Sequence, residues 1–201
     1  MPVNSPAPDL ATQDAAATWL WLAAELEAAA GSARHGFHLL TVATIGGDGH
    51  PDTRTVVLRH VDRIGREIRF HADVRSPKVR ALRGDPRATL HWYDAARRVQ
   101  VRIAARAAVH HADEVAAAAW AGSQAMSRAC YTSAVAPGDH LEAFPIGPAA
   151  PAVGDDSGLA HFAVVACRFT AVELLSLHAA GHQRARLHLD RDPVAMTILA
   201  P

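Results

Sequence analysis

The sequence predicts a mainly β fold: a closed antiparallel barrel of six to eight strands with short flanking helices. Three observations predict it. Short runs rich in Val, Ile and Thr recur along the 201 residues, most are joined by tight Gly- or Asp-containing turns, and the helical stretches between them are brief. Half of the residues are apolar, enough to bury one core, so residues 1–201 are expected to form a single domain.

The elements follow in order. Residues 1–12, Pro-rich and small, read as a flexible arm, and Asp14 caps a helix over Ala15–Ala30 in which Trp19, Leu22 and Leu26 recur at helical spacing. Phe37–Ile45 is a strand ending at the turn Gly46-Gly47-Asp48-Gly49. Thr53–Val61 and Glu67–Ala72 are the next two strands, joined by Arg63-Ile64-Gly65-Arg66. Ser76-Pro77 supplies a cap and an N1 proline to a short helix that buries Val79 and Leu82 and ends at Gly84-Asp85-Pro86. Strands resume at Ala88–Tyr93 and Val99–Val109, and an Ala-rich helix starting at His111 or Asp113 runs through Trp120. Residues 137–158, heavy in Pro, Gly and Asp, read as a long loop. His161–Leu177 with a break near Thr170, His182–Leu189 and Val194–Leu199 are the remaining strand segments.

Charge and cysteine usage narrow the function classes. Twenty Lys plus Arg balance twenty Asp plus Glu, so the net balance advertises neither a nucleic-acid nor a membrane partner, and any cationic site must be local. Two cysteines, Cys130 and Cys167, form no disulfide framework and read as inert buried thiols. With no signal-peptide pattern and no apolar run long enough to span a bilayer, a cytoplasmic protein is expected. Of the thirteen histidines, His35-x-x-His38 and His110-His111 lack ligand spacing with any Cys or carboxylate, so no metal is expected and most histidines read as surface residues.

The informative stretch runs from Arg54 to Arg102. In a strand Arg54-Thr55-Val56-Val57-Leu58-Arg59, Arg54, Val56 and Leu58 share one face while Thr55, Val57 and Arg59 share the other. Both cations can serve one ligand only through a bulge or a strand end. Farther on, Ser76 and Lys78 flank a helix N-terminus, where free N–H groups favour an anion. With Arg54 they form a set suited to a phosphate, by an Arg fork, a Lys charge and a hydroxyl.

The order RTVVLR, IRFHADVRSPK, GDPRATLHWY, VQVRIAARA resembles the flavin-binding pyridoxamine 5′-phosphate oxidase family, closely over Phe37 to Val109 and weakly at Trp120, Pro137-Gly138 and Glu173–Leu187. The resemblance implies a split β-barrel that dimerises and holds FMN at two sites along the subunit interface. It implies that Arg54, with Ser76 and Lys78, grips the FMN phosphate, that the Val56, Val57 and Leu58 backbone lies along the ring edge, and that His71 and Ala72 also touch the cofactor. By the same resemblance Gln100 hydrogen-bonds the ring and Arg186 reaches across the dimer. A ring that accepts hydride needs donors near N1 and the C2 oxygen, a role open to Gln100 or Arg186. Arg59 is the remaining member of the cofactor set and, with His182, a substrate-facing residue.

The departures are informative too. Pro77 replaces an arginine that often precedes the family lysine, and Ser176 stands where a tryptophan is common. Of the groups that hold the vitamer phosphate in the true oxidases, Ala119, Ser123 and His182 replace a tyrosine and two arginines; only Ser127 is kept, with Arg128 beside it. The resemblance therefore implies an FMN-dependent oxidoreductase that passes hydride between a small molecule or reduced nicotinamide and FMN, rather than the vitamer oxidase. A non-catalytic flavin- or haem-binding module and a deazaflavin-dependent reductase are the alternatives.

Overall fold

The computed structural model describes residues 6–144, 156–177 and 181–201. Helix α1, Ala15–Gly31, starts where the Asp14 carboxylate accepts the Ala17 N–H at 2.7 Å, and it buries Trp19, Leu22, Ala23, Leu26 and Ala29. Nine strands follow: β1 Leu39–Ile45, β2 Pro51–Asp62, β3 Glu67–Asp73, β4 Arg87–Asp94, β5 Val99–His110, β6 Phe162–Arg168, β7 Ala171–Ser176, β8 Gln183–His188 and β9 Ala195–Leu199. Helix α2, Pro77–Gly84, lies between β3 and β4; α3, Glu114–Ala121, and α4, Ala125–Ala129, lie between β5 and β6.

All pairings are antiparallel, in the order β4-β1-β2-β3-β6-β5-β7-β8-β9, and pairing of β4 with β5 closes the first six strands into a barrel. The closure removes the free edges those strands would otherwise expose. β5 is the dividing strand: Arg106–His110 pair with β6, whereas Val99–Arg102 pair with β7 on the same edge. The segment read as one strand over His161–Leu177 is thus two, because Phe169 and Thr170 carry the chain from one half of β5 to the other.

β6 is buried at six consecutive positions, Phe162 to Cys167, and is covered on both faces. Val165 and Cys167 join the barrel core, while Phe162 and Val164 pack outward with Ala116 and Trp120 of α3. That outward packing holds α3 and α4 against the barrel wall and creates the groove described below.

Several expectations need revision. Residues 6–12, read as part of a flexible arm, are tied down: Leu10 is buried, its N–H donates to Gln183 Oε1 at 2.9 Å, and Gln183 Nε2 donates to Asp9 at 2.8 Å. His35 is not a surface residue; it is buried with Nε2 2.9 Å from Glu25, which also pairs with Arg97, and Arg97 lies 3.1 Å from Asp94. This network fastens α1 to the entry of β1 and to the β4–β5 turn. Cys130 is exposed and only Cys167 is buried. Of the long loop read over 137–158, residues 145–155 lie outside the described residues, as do residues 1–5 of the arm. Among the described residues no helix is long and apolar enough to cross a membrane.

Candidate functional site

The site is built on the outer wall of β2 and β3, under α3 and α4. β2 alternates until Leu58, which pairs with Phe70; the next paired residue is His60, opposite Arg69, so Arg59 is the extra residue of a β-bulge. The bulge leaves His60 on the outer face, where Arg59 stays with Thr55 and Val57 and lines two adjoining cavities. One, about 430 Å³, is lined by Val56, Val57, Arg59, His71, Ala72 and Lys78 on the barrel side and by Ser127 and Tyr131 on the helix side. The other, about 690 Å³, shares Arg59, His71 and Ser127 and is backed by Ala118 and Ala119 of α3.

The electrostatics of this double cleft are unusual for a protein surface. Neither Arg59 nor Lys78 has an ion-pair partner among the described residues. Burial, followed by the nearby Arg54 guanidinium, lowers the Lys78 pKa, and the more distant Asp73 and Asp52 carboxylates offset this only in part. His71 is lowered to about 4, by burial first and the Arg59 charge second, so it is neutral at neutral pH. Its ring meets Phe162 edge-on at 4.7 Å between centroids. Burial also pushes Tyr131 up to about 12, and its ring packs edge-on against Phe162 at 5.1 Å. At the cleft's end, burial raises the Asp73 carboxyl, but hydrogen bonds from Arg75 outweigh this and leave it below the usual range. Arg75 grips Asp73 with Nη2 at 2.7 Å and Nε at 3.0 Å, and donates to the Ser133 carbonyl at 3.0 Å, anchoring the segment after α4.

The sequence-predicted residues divide into three groups. Val56, Val57, Arg59, His71, Ala72, Lys78 and Ser127 come together in the cleft. Arg54, Leu58 and Ser76 support it from behind. Arg54 donates to Thr44 Oγ1 at 2.8 Å and pairs with Asp52; Leu58 is fully buried; Ser76, at the helix N-cap, makes no capping bond and instead donates its hydroxyl proton to the Asp73 carbonyl at 2.7 Å.

The third group is elsewhere. Gln100 and Arg186 lie on the β5–β7–β8 sheet, where Gln100 is opposite Leu175 and Arg186 opposite Glu173. There Glu173 accepts from Arg102 and Arg184 at 2.7 Å and from Arg186 at 3.0 Å. His182 is exposed next to residues 178–180, which are outside the described set. Arg128 does not line the cleft: its guanidinium lies 5.1 Å over the Trp120 ring and donates to the Ala121 carbonyl at 3.0 Å. Tyr131 and Asp73 are cleft residues that sequence reasoning missed. Tyr131 follows a five-residue helix without periodic signal, and Asp73 lies one residue past the strand read over Glu67–Ala72.

A six-stranded split barrel with a cationic, partly apolar cleft on its outer wall defines the class. Residues 17–111 match the family described as "Pyridoxamine 5'-phosphate oxidase, FMN-binding domain". The pyridoxine/pyridoxamine 5'-phosphate oxidase of Caulobacter vibrioides is 37% identical over 65 residues, a match covering 31% of this chain and 28% of that protein. That of Azorhizobium caulinodans is 40% identical over 65 residues, covering 31% and 30%. Among solved structures, a pyridoxamine 5'-phosphate oxidase-related, FMN-binding protein of Nostoc punctiforme superposes with a TM-score of 0.71 at 20% identity, over 91% of this chain and 97% of that one. PhzG of Burkholderia lata, solved with tetrahydrophenazine-1-carboxylic acid, gives 0.63 at 19% identity, over 82% of each chain. Residues 17–111 are thus a domain of the FMN-binding pyridoxamine 5'-phosphate oxidase-like family, diverged from the vitamer oxidases, whose length the matched segment covers by less than a third.

Proposed function

We propose that the protein is an FMN-dependent oxidoreductase that works as a homodimer and acts on a small molecule other than a vitamer phosphate. The observation that carries this reading is the pair of cations without carboxylate partners, Arg59 and Lys78, flanking the Val56–Val57 strand and the His71–Ala72 wall of one cleft. An unpaired, half-buried lysine is costly unless an anion completes it, which a phosphate ester does. FMN, when bound, supplies a ring that takes up and gives back hydride.

The chain's own residues prepare that chemistry. Lys78, with the Arg54 charge behind it, holds the ester phosphate. Val56, Val57 and Ala72 present backbone and small apolar surface for a flat ring, and His71, neutral and wedged against Phe162, excludes water from that wall. Arg59 faces both cavities and orients an anionic substrate in the larger one. Gln100 and Arg186, remote from the cleft of their own chain, would serve the cleft of a second copy, so the proposal requires a dimer. The Ala118–Ala119 wall, in place of phosphate-gripping groups, argues against efficient turnover of pyridoxamine 5′-phosphate.

The test is extraction and mass identification of the copurifying cofactor, followed by FMN titration and reduction by nicotinamides. FMN in the extract, flavin affinity lowered about tenfold or more by Lys78→Ala, and bleaching by a reductant support the reading. Extraction of a deazaflavin or haem, or FMN binding unaffected by Lys78→Ala, refutes the cofactor assignment. Bound FMN that no nicotinamide or small amine reduces refutes the catalysis alone.

A further inference from the structure

A second cationic feature lies outside this cleft. In the antiparallel register Arg87 of β4 is directly opposite Arg106 of β5, and Arg106 is directly opposite Arg168 of β6. Directly paired residues leave a sheet on the same side, so three arginines stand in a row across three strands, and all three are exposed. Like charges in that register destabilise a sheet, and the local acids form ion pairs only at the ends of the row, with Asp85 acting on Arg106 at longer range. Arg87 pairs with Asp85 at 2.5 Å and Arg168 with Glu67 at 3.0 Å. The central Arg106 has no hydrogen bond or ion pair among the described residues.

The row borders a cavity of about 800 Å³ at the end of the barrel, where Arg66 adds a fourth cation. Its floor is apolar, with Ile45, Ala88 and Phe169 among the lining residues. Arg106 is six residues along β5 from Gln100, about 20 Å at strand rise, and the cavity adjoins, through Thr89, Ala104 and Thr170, a smaller one lined by Arg186. Adjacent strands are about 4.8 Å apart, so the row spans roughly 10 Å. One phosphate reaches two of the three guanidinium groups; linked phosphates reach all of them.

We propose that this cavity binds an organic polyphosphate, a ligand with two or more linked phosphoryl groups on a compact, largely apolar body. The arginine row receives the phosphoryl groups by bidentate bonds, and the floor of the cavity receives the body.

The experiment is calorimetric titration of the full-length, FMN-saturated protein with ADP, inorganic pyrophosphate and inorganic phosphate. Saturable binding in the order ADP, pyrophosphate, phosphate is expected, with flavin absorbance unchanged. Arg106→Gln should weaken ADP and pyrophosphate about tenfold, whereas Arg63→Ala, which removes an exposed charge elsewhere, should not. The unliganded Arg106→Gln variant should unfold at the same or a higher denaturant concentration than the parent, because the like-charge contact is gone. Equal affinity for phosphate and pyrophosphate, unchanged affinity in Arg106→Gln, or release of flavin by ADP overturns the proposal. So does a single-stranded oligonucleotide that binds more tightly than ADP and gains affinity with length.

Discussion

Two cationic regions of this barrel are organised in opposite ways. On the β5–β7–β8 face, one buried glutamate, Glu173, gathers three arginines, so charge there is spent on holding strands together. In the cleft on β2 and β3, Arg59 and Lys78 stand without carboxylate partners beside a neutral histidine. Both regions are rich in basic residues, and composition alone ranks them equal. The difference lies in the counter-charge: a cation in an ion pair organises structure, and one outside any ion pair is available to a ligand.

The comparison breaks most readily at Glu173. Its Glu173→Gln variant leaves three guanidinium groups facing one another and should lose about 2 kcal/mol of stability in urea unfolding. An unchanged midpoint would show that the arginine cluster contributes nothing. Burial raises the Glu173 carboxyl, but its three arginines outweigh this and hold its pKa low. The sign follows: its stabilisation is complete above the unfolded glutamate range and is lost as pH falls through the lower folded value.

His71 should act in the same direction, over a window that begins at higher pH. Its folded pKa, about 4, lies below the ordinary 6.5, so the unfolded state binds the extra proton and stability falls as pH drops from 6.5 toward 4. The His71→Phe variant should flatten the pH dependence of unfolding across that window by up to ~1.4 kcal/mol per pH unit, while keeping the ring contact with Phe162. Parallel pH profiles for variant and parent would refute this.

The smallest effect is kinetic. Cys130 is exposed and lines the cleft, whereas Cys167 is buried with its thiol pushed up to about 12. In the native protein a thiol reagent should modify Cys130 alone, without loss of stability, and saturating FMN should slow the reaction. Mass mapping that finds Cys167 labelled first would contradict the fold.

The barrel itself was largely legible in the residues. Alternation in RTVVLR and VQVRIAARA, the Gly-Asp hairpin turns and the Ser-Pro helix start specify elements locally, and the observed strands follow them closely. What stayed hidden depends on long-range register. Nothing between Arg54 and His60 announces a bulge, because it arises where β2 pairs with β3, yet it leaves His60 on the outer face beside Arg59. The arginine row across β4, β5 and β6 is likewise invisible until three separated segments are aligned. Arg128 and His35 were misjudged for a related reason: their partners, Trp120 with Asp156 and Glu25 with Arg97, are supplied by other elements.

Because β5 bonds to β4 along one edge and successively to β6 and β7 along the other, neither the barrel nor its outer hairpin can come apart without breaking the same central ribbon. Backbone amides of Val101 and Ile103 should therefore be the last to exchange with deuterated solvent, and the two halves should melt as one cooperative unit.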